Sequence, residues 1–276
     1  MATKANRSGV TSVLRWFGGK GHLADAIINL IPEHHTYIEP FSGGAHVLAQ
    51  KSPNMSKVEV YNDIDEGVVN FLLQLTDPDK KNRLIERLEQ LPTSRVLFDR
   101  WRNEPAPDDK FEAAVRYFYI LRQSVVPANN EKSGWRFGKV KSGAADYISA
   151  VAKLDAFAKR MLRVNYECKD FRYIIDKYDA PNSFLFCDPP YQFRENRYLG
   201  NNTEQMHIDL HEKLSKIKGK CLVSYYHSDL IDSLYKDWNR VEIQAVVGNY
   251  ITTGTRRRET EVLFLNYEPT RELSFF

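Results

Sequence analysis

The 276-residue sequence lacks long apolar runs, paired cysteine motifs and a strong excess of one charge. No apolar stretch approaches the roughly 18 residues that a membrane-spanning helix needs, and the polar N-terminal segment has no signal-peptide core. Cys168, Cys187 and Cys221 are the only cysteines, and they form no C-x-x-C pair. This argues against a disulfide framework or a zinc site and favours a reducing compartment.

Charge is unevenly distributed along a chain whose net charge is only +3. Residues 80–163 carry 18 Lys+Arg against 10 Asp+Glu, a balance of +8, so the rest of the chain sums to −5. A basic segment in an otherwise slightly acidic chain suggests one surface that faces a polyanion. A run of solvated helix faces is the alternative, because +8 is modest beside a dedicated nucleic-acid-binding domain.

Hydrophobic periodicity predicts strands that alternate with helices, which indicates an open α/β sheet. Strands are predicted at 36–38, 57–61, 184–187, 220–225, 241–247 and 261–267, and helices at 21–31, 45–50, 65–75, 203–217 and 228–235. The pattern changes between 77 and 165, where the predicted helices are 81–91, 111–121 and 146–162. We therefore expect a sheet domain formed by 1–76 and 166–276, with a mainly helical insertion at 77–165.

The segment Asp188-Pro189-Pro190-Tyr191 directly follows a predicted apolar strand. The carboxyl end of a strand is where open α/β sheets place their ligand chemistry. The two prolines fix the backbone and remove two N–H donors, so the segment offers a carboxylate, free carbonyl oxygens and an aromatic face. These groups suit a planar ligand with an exocyclic NH2, whose hydrogens the oxygens accept while Tyr191 stacks on the ring. An ordinary Pro-Pro turn capped by the aspartate is the alternative.

A second candidate segment is the glycine-rich turn at 39–45, between a predicted strand and a predicted helix. Its glycines allow a ligand to approach the backbone closely, although the spacing is not G-x-G-x-x-G, so a dinucleotide site is only weakly indicated. Asp63 lies 19 residues after Gly44, at the end of the next strand. An acid about 20 residues beyond such a turn is placed to accept hydrogen bonds from ribose hydroxyls. Alternatively, the glycines permit tight packing and Asn62-Asp63 forms a local turn.

The third candidate is the N-terminal segment Trp16-Phe17-Gly18-Gly19-Lys20. Trp16 offers a stacking or cation–π surface, and Lys20 offers a positive charge for a carboxylate. The spacing is not that of a phosphate-binding P-loop. Taken alone, the segment is better explained as an anchor at a helix N-terminus.

Together the three segments resemble the Dam-type (α-class) adenine-specific DNA N6-methyltransferases, which use S-adenosylmethionine (AdoMet). Residues 16–20 match the family's Trp-x-Gly-Gly-Lys element, and residues 39–45 match its Glu-Pro-Phe AdoMet loop. Residues 63–64 match its Asp-Ile ribose motif, and residues 188–191 match its catalytic Asp-Pro-Pro-Tyr, in the α-class order. The stretch 254–267, with Thr-Arg-Arg, Glu-x-Leu and Asn-Tyr, also looks like the family's end. The resemblance covers nearly the whole chain outside 77–165.

This resemblance implies a Rossmann-like AdoMet-dependent methyltransferase sheet with a helical target-recognition insertion, in an enzyme that methylates N6 of a flipped-out adenine in duplex DNA. It implies AdoMet, released as S-adenosylhomocysteine, as the cofactor, and no metal. We expect a cytoplasmic, prokaryotic or phage-encoded enzyme of restriction–modification type, acting as a monomer or a weak dimer on DNA. The implied AdoMet contacts are Trp16, Lys20, Glu39, Phe41, Gly43, Asp63, Ile64 and Asp188, and the implied catalytic residues are Asp188, Pro189, Pro190 and Tyr191.

The chemistry of such a reaction depends on Asp188. Adenine N6 is a poor nucleophile because its lone pair is delocalised into the ring, and hydrogen bonds to the Asp188 carboxylate and a prolyl carbonyl favour a pyramidal nitrogen. Asp188 must be ionised to accept them, so we expect its pKa to stay well below 7. Flipping the base costs a few kcal/mol, and stacking on Tyr191 returns about 1–3 kcal/mol.

The basic insertion supplies most of the candidate DNA contacts. Its polar side chains are of the types that read bases or bind phosphates, namely Arg116, Arg122, Gln123, Asn129, Asn130, Lys132, Arg136, Lys139 and Lys141. The loop at 123–141 is the candidate for sequence reading, in which Trp135 and Phe137 either intercalate or pack. A second basic cluster consists of Arg256, Arg257 and Arg258. It is interpreted either as a phosphate-binding site or as a solvated hairpin tip. The insertion matches the family's site-reading residues poorly, so no recognition sequence follows.

Other interpretations stay open from the sequence alone. His207 and His211 have the four-residue spacing that metal sites use, but the segment lacks the Glu of H-E-x-x-H, so we expect no zinc. The amine could instead belong to an RNA base, since phosphate contacts do not report the sugar. A catalytically inactive DNA-binding relative would keep the same fold. Glutamine methylators are disfavoured because they prefer Asn at the position of Asp188 and lack a basic insertion here.

Overall fold

A computed structural model describes residues 6–126, 133–138, 142–191, 203–247 and 257–269. One sheet contains the strands β1 (Thr36–Glu39), β2 (Val58–Asn62), β3 (Asn165–Glu167), β4 (Ser183–Cys187), β5 (Lys220–Tyr226), β6 (Asn239–Val247) and β7 (Arg257–Leu265). Their order is β3-β2-β1-β4-β5-β7-β6, and β7 runs antiparallel to both of its neighbours. The strand order reverses between the parallel neighbours β1 and β4, so their carboxyl ends form the switch point at which open α/β sheets bind ligands.

The helices lie on both faces of this sheet. In chain order they are α1 (Ala24–Leu30), α2 (His46–Gln50), α3 (Glu66–Thr76), α4 (Lys81–Glu89), α5 (Arg95–Asn103), α6 (Lys110–Gln123), α7 (Gly143–Val151), α8 (Leu154–Met161), α9 (Phe171–Tyr178), α10 (Glu204–Leu214) and α11 (Asp229–Leu234). Five of them, α4 to α8, belong to the segment 77–165. None of the helices in the described ranges has the length and apolar character of a membrane span.

Alternating strand residues divide the core into two layers. Tyr37 and Phe184 point to one face of the sheet, whereas Ile38 and Leu185 point to the other. The first layer continues from the sheet through α3 into α6, where Phe71 stacks on Phe118 with ring centroids 5.0 Å apart. The helices of 77–165 therefore share one continuous core with the sheet.

A buried ionic cluster fastens α8 to β2. The Arg160 guanidinium donates to both carboxylate oxygens of Glu59, at 2.7 and 2.8 Å, and the Lys51 ammonium lies 2.8 Å from the same carboxylate. Lys51 is fully buried and Arg160 is 6% exposed. Because a buried charge needs a partner in a low-dielectric interior, each member of this cluster depends on the others.

The structure corrects several predicted elements. The single helix predicted at 146–162 is two helices, α7 and α8, separated by a turn at Ala152 and Lys153. Both turn residues are good helix formers, so tertiary packing rather than local propensity sets this break. Helices α5 and α9 and strand β3 were not predicted. Strand β3 has only three residues, none of them fully buried, and so shows no clear alternation.

Candidate active site

The three candidate segments meet at one cavity, next to the carboxyl ends of β1 and β4. Its volume is about 690 Å³, within the range of about 300–1,000 Å³ typical of small-molecule sites. Of the residues singled out from the sequence, the cavity wall includes Trp16, Lys20, Glu39, Phe41, Gly43, Asp188, Pro189 and Tyr191. Residues as far apart in the sequence as Trp16 and Tyr191 thus share one concave surface.

The glycine-rich turn presses directly against Trp16. Gly43 has a φ of 45°, and a Cβ added there would lie 2.3 Å from Trp16 Nε1, so a side chain does not fit without moving the indole. The Tyr61 hydroxyl donates to the Gly43 carbonyl at 2.7 Å and fixes the turn from behind. Buried Ala45 also has a positive φ, 53°. A left-handed alanine costs about 1–3 kcal/mol, and strain of this kind concentrates at functional sites.

Asp63 lies immediately behind this turn rather than in the cavity wall. Its Oδ2 accepts a hydrogen bond from the Gly43 N–H at 2.8 Å, and its Oδ1 accepts one from the Asp65 N–H at 2.9 Å. Burial raises the pKa of the Asp63 carboxyl to about 7, against the opposing effect of these N–H donors. The neighbouring Ile64 is 51% exposed. A carboxylate and an exposed apolar side chain therefore flank the turn.

Two further predicted AdoMet contacts lie at the end of β1. Glu39 is 2% exposed, and its Oε1 accepts a hydrogen bond from the Tyr37 hydroxyl at 2.7 Å. Burial raises the Glu39 pKa to about 8. Phe41 follows in the loop and packs against Phe171 of α9, with centroids 5.1 Å apart. Glu39 thus contributes a buried polar wall and Phe41 an apolar one.

Asp188 is paired with a buried lysine. The Lys20 ammonium, on a side chain that is 3% exposed, lies 2.7 Å from Asp188 Oδ1 and donates to the Gly18 carbonyl at 2.9 Å. Burial nevertheless raises the Asp188 pKa to about 6, because desolvation outweighs the attraction of Lys20. The expectation that this pKa stays well below 7 was therefore wrong in degree. The Lys20 charge, expected at the cofactor, is here directed at Asp188.

Tyr191 is 8% exposed and its hydroxyl points inward. That hydroxyl lies 3.1 Å from Asp188 Oδ1 and 2.9 Å from Ser224 Oγ, and it donates to the Glu261 carboxylate. The Lys20 ammonium lies 4.7 Å from the ring centroid, and the Tyr226 ring packs edge-on at 4.8 Å. A base can stack on this ring only after its surroundings open, so stacking stays a prediction.

Sequence reasoning missed Glu261 as a site residue. It lies in β7, is 1% exposed and lines the cavity. Its Oε1 accepts from Ser224 Oγ at 2.5 Å and lies 3.2 Å from the Lys20 ammonium. The sequence offered one signal, since this acid directly precedes the apolar run at 262–265 in a predicted strand. An acid in such a strand is expected to be buried, and a buried carboxylate requires partners.

Three arginines, of which Arg136 belongs to the predicted DNA-reading loop, lie in or next to the cavity wall. Arg122 lines the cavity and donates to Asp146 Oδ2 at 2.7 Å, and Arg136 pairs with the same carboxylate oxygen. Arg15 also lines the cavity, and it donates to the Ser124 carbonyl at 2.5 Å. Burial lowers the pKa of Arg15 to about 10, and the positive charges of Arg136 and Arg122 contribute to the same shift. Two guanidinium groups thus pair with one carboxylate, and the third lies close enough to feel their charges.

Other predicted DNA contacts have different surroundings. Gln123 is 2% exposed and donates to Thr93 Oγ1 at 3.4 Å, so it lies in the interior and cannot reach a base in this structure. Arg116 pairs with Glu104 at 3.1 Å. Arg257 and Arg258 are not in a loop as expected: their backbones belong to β7, paired with Val247 and Val246 of β6. The remaining predicted contacts lie outside the described residues, namely Asn129, Asn130, Lys132, Lys139, Lys141 and Arg256.

The described part of the predicted DNA-reading loop contains two aromatic side chains. Trp135 and Phe137 stack with centroids 6.5 Å apart, and the Arg95 guanidinium lies 5.0 Å from the Trp135 centroid. Phe137 is 61% exposed. A β-bridge between Ser124 and Trp135 places this pair next to the residues that line the cavity mouth.

Comparison with known proteins agrees with this arrangement. The sequence profile described as "D12 class N6 adenine-specific DNA methyltransferase" matches residues 16–249. Over 95% of this chain and 97% of the relative, the sequence is 24% identical to the type II methyltransferase M1.LlaDCHI of Lactococcus lactis subsp. cremoris. It is 26% identical to the type II methyltransferase M.MjaIII of Methanocaldococcus jannaschii, covering 94% and 99% of the two chains. A DNA adenine methylase of Vibrio cholerae is 25% identical, over 81% and 84%.

The family profile spans most of the chain, including the three segments that form the cavity, up to residue 249. The chain therefore belongs to the D12 class N6 adenine-specific DNA methyltransferases. Its sheet, with β7 antiparallel beside β5, is consistent with the Rossmann-like fold of such enzymes, as the sequence indicated. The reaction of the family is transfer of a methyl group to N6 of adenine in DNA.

Proposed function

We propose that this chain transfers a methyl group from AdoMet to N6 of an adenine that has been flipped out of duplex DNA. The observation that carries the proposal is the single cavity that extends from the strained glycine turn to the Asp188 carboxylate. A donor held at the turn and an amine held at Asp188 would share one enclosed volume. Because relatives of nearly equal length are named type II methyltransferases, a role in restriction–modification is part of the proposal.

The residues at the turn fit an adenosyl group. Gly43 packs directly against Trp16, and the rings of Trp16 and Phe41 both line the cavity, so a flat nucleoside can lie against them. Asp63 keeps acceptor capacity for ribose hydroxyls beyond its two N–H donors. Ile64 offers an exposed apolar surface beside it. When bound, AdoMet supplies a methyl group carried on a positively charged sulfur.

The charges at the other end of the cavity complement that sulfur. Lys20 lies between the carboxylates of Asp188 and Glu261, so the ionised cluster carries a net charge of −1. A buried site with an excess negative charge favours a cationic ligand, because opposite charges attract strongly where water is excluded. This match supports AdoMet as the donor.

Asp188 would activate the amine by accepting a hydrogen bond from one of its N–H groups. An ionised carboxylate accepts one N–H of the adenine amine and the Pro189 carbonyl accepts the other, which draws the nitrogen towards a pyramidal geometry and exposes its lone pair. In this structure Lys20 and Tyr191 both contact Asp188 Oδ1, so the amine would use the other carboxylate oxygen or share Oδ1 with them. Positioning of the two reactants supplies most of the acceleration, worth about 7–11 kcal/mol when the geometry is good.

The arginine group at the cavity mouth would hold the DNA. Arg122 and Arg136 pair with Asp146, and Arg15 donates to backbone carbonyls nearby, so the three arginines and this carboxylate have an excess of two positive charges. Phosphates that flank a flipped nucleotide provide the missing negative charge. Exposed Phe137 is placed to stack against the bases next to the vacated position. The segment 77–165 as the target-recognition unit is part of this proposal.

Methyl transfer to defined nucleic acids tests the proposed function. The full chain is incubated with methyl-labelled AdoMet and unmethylated duplex DNA, and the product is digested and separated to identify N6-methyladenine. We expect label in that nucleoside for the wild-type chain and for Asp176→Ala, an exposed aspartate of α9, but none for Asp188→Ala. Label in an RNA competitor instead of the DNA, or near-native methylation by Asp188→Ala, would refute the proposal.

A further inference from the structure

The hydrogen bonds around Tyr191 lead to Glu261, a residue without an assigned role. The register of the antiparallel pair places Glu261 opposite Tyr226, at the carboxyl end of β5. This is the edge of the sheet from which Asp188 follows β4. The Glu261 side chain is 1% exposed and forms part of the wall of the cavity.

One oxygen of Glu261 connects three separate parts of the chain. Oε1 accepts from Ser224 Oγ of β5 at 2.5 Å and from the Tyr191 hydroxyl, and it lies 3.2 Å from the Lys20 ammonium. Ser224 and Tyr191 also contact each other, with 2.9 Å between their oxygens. A buried carboxylate with these partners restrains the hydroxyl end of Tyr191 and the ammonium of Lys20 simultaneously.

The sharing of Lys20 has a direct consequence for Asp188. The ammonium lies 2.7 Å from Asp188 Oδ1 and 3.2 Å from Glu261 Oε1, so the two carboxylates compete for one cation. Without Glu261, the ammonium would lose one of its two carboxylate partners and would compete more strongly with the substrate amine for Asp188. With Glu261, the ammonium has a second partner to which it can move.

We propose that Glu261 is a positioning residue, which fixes the Tyr191 hydroxyl and draws Lys20 away from Asp188 so that the Asp188 carboxylate can accept the substrate amine. This inference rests on the proposed function. It assigns Glu261 no contact with the transferred methyl group, because its effect passes through Lys20 and Tyr191.

The test separates positioning from binding. In Glu261→Gln the shape is kept and the charge is removed, whereas in Glu261→Asp the charge is kept and its reach is shortened. We expect the single-turnover rate of methyl transfer to fall in both, by up to about 10²-fold, the loss that a displacement near 1 Å can cause. In Glu261→Asp, which keeps the negative charge that faces the cationic donor, the dissociation constant of AdoMet, measured by calorimetry, should change less than about threefold, since positioning within the site is what is lost.

The pH profile gives a readout that a structural role would not move. The groups that act on Asp188 are Lys20, Glu261, Tyr191, Glu39 and Cys187, and His22 and His46 lie close to Lys20. Since the negative charge of Glu261 opposes ionisation of Asp188, Glu261→Gln should shift the acid limb of the rate to lower pH. Lys20→Gln should shift it to higher pH, and Glu261→Asp should leave it near the wild-type position.

Two comparisons complete the experiment. Glu242→Gln removes the same charge from an exposed position on the neighbouring strand β6 and should change neither rate nor pH profile. In a double-mutant cycle, Glu261→Gln should cost less in the Tyr191→Phe background than alone, because the shared contact is already absent. If Glu261→Gln does not fold, the rate and AdoMet affinity of Glu261→Asp carry the test.

Three results would overturn the inference while leaving the proposed function intact. They are an unchanged acid limb in Glu261→Gln, full additivity with Tyr191→Phe, and a rise in the AdoMet dissociation constant of Glu261→Asp that matches its loss of rate. The last would make Glu261 a donor-binding residue. Activity retained by Asp188→Ala would instead refute the proposed function itself.

Discussion

Replacing Gly43 by alanine perturbs the donor end of the cavity at one point. The residue has a φ of 45°, and the new Cβ would lie 2.3 Å from Trp16 Nε1 and 2.7 Å from Trp16 Cδ1. Gly43 also donates its N–H to Asp63 and accepts from the Tyr61 hydroxyl. Either the indole or the turn must therefore move, and both movements disturb the surface assigned to the adenosyl group.

The magnitude follows from two contributions. A left-handed backbone costs an alanine about 1–2 kcal/mol, and forcing a side chain into a packed contact costs about 1–3 kcal/mol. Gly9 provides a matched control, because its φ is 76° but an added Cβ there would have no atom within 4 Å. Gly9→Ala therefore has the backbone cost alone, and the effect of alanine on the unfolded chain is common to both variants.

Urea unfolding and AdoMet calorimetry measure the two effects. We expect Gly43→Ala to lower the free energy of unfolding by about 1–3 kcal/mol more than Gly9→Ala does. We expect at least about a tenfold loss of AdoMet affinity, equivalent to about 1.4 kcal/mol, in Gly43→Ala only. Equal destabilisation by the two alanines, with native AdoMet affinity in both, would refute the assignment of the donor site to this turn.

Three further predictions concern titration and the buried ionic cluster. The rate of methyl transfer should rise as pH increases through about 6, because Asp188 must ionise to accept the amine; a rate that is flat between pH 5 and 8 would contradict this. AdoMet affinity should weaken below about pH 7 as Asp63 protonates, and Asp63→Asn should remove that dependence in calorimetric titrations. Glu59→Gln leaves Lys51 and Arg160 without a buried counter-charge, so urea unfolding should show a loss of about 3–5 kcal/mol; a loss below about 1 kcal/mol would show that the cluster is not coupled.

Local sequence patterns were sufficient to predict much of the fold. Strands β2 and β4 were predictable because one alternates and the other is a short apolar run before Asp188. Helix α9 was overlooked although Asp170 caps it by accepting from the Arg172 N–H at 2.8 Å. The division of one predicted helix into α7 and α8 has no local signal, because the break depends on how the two helices pack against α2, α3, α4 and α6.

The candidate site was predictable only in part. Trp16, Gly43 and Asp188 stand in ordered motifs, and the sheet brings them to one cavity. Glu261 was not predictable as a partner of Tyr191, 70 residues away, because only the pairing of β7 with β5 places the two together. Gln123 was chosen for its chemical type, but it lies on the buried face of α6.

A crystal structure of the full chain with S-adenosylhomocysteine tests the central claim most directly. The account predicts one ligand molecule that extends from the described cavity past the glycine-rich turn, with its ribose within hydrogen-bond distance of Asp63 and its sulfur facing Asp188. A ligand bound elsewhere, or one that leaves either aspartate outside its contacts, would contradict the claim that a single cavity serves both methyl donor and amine.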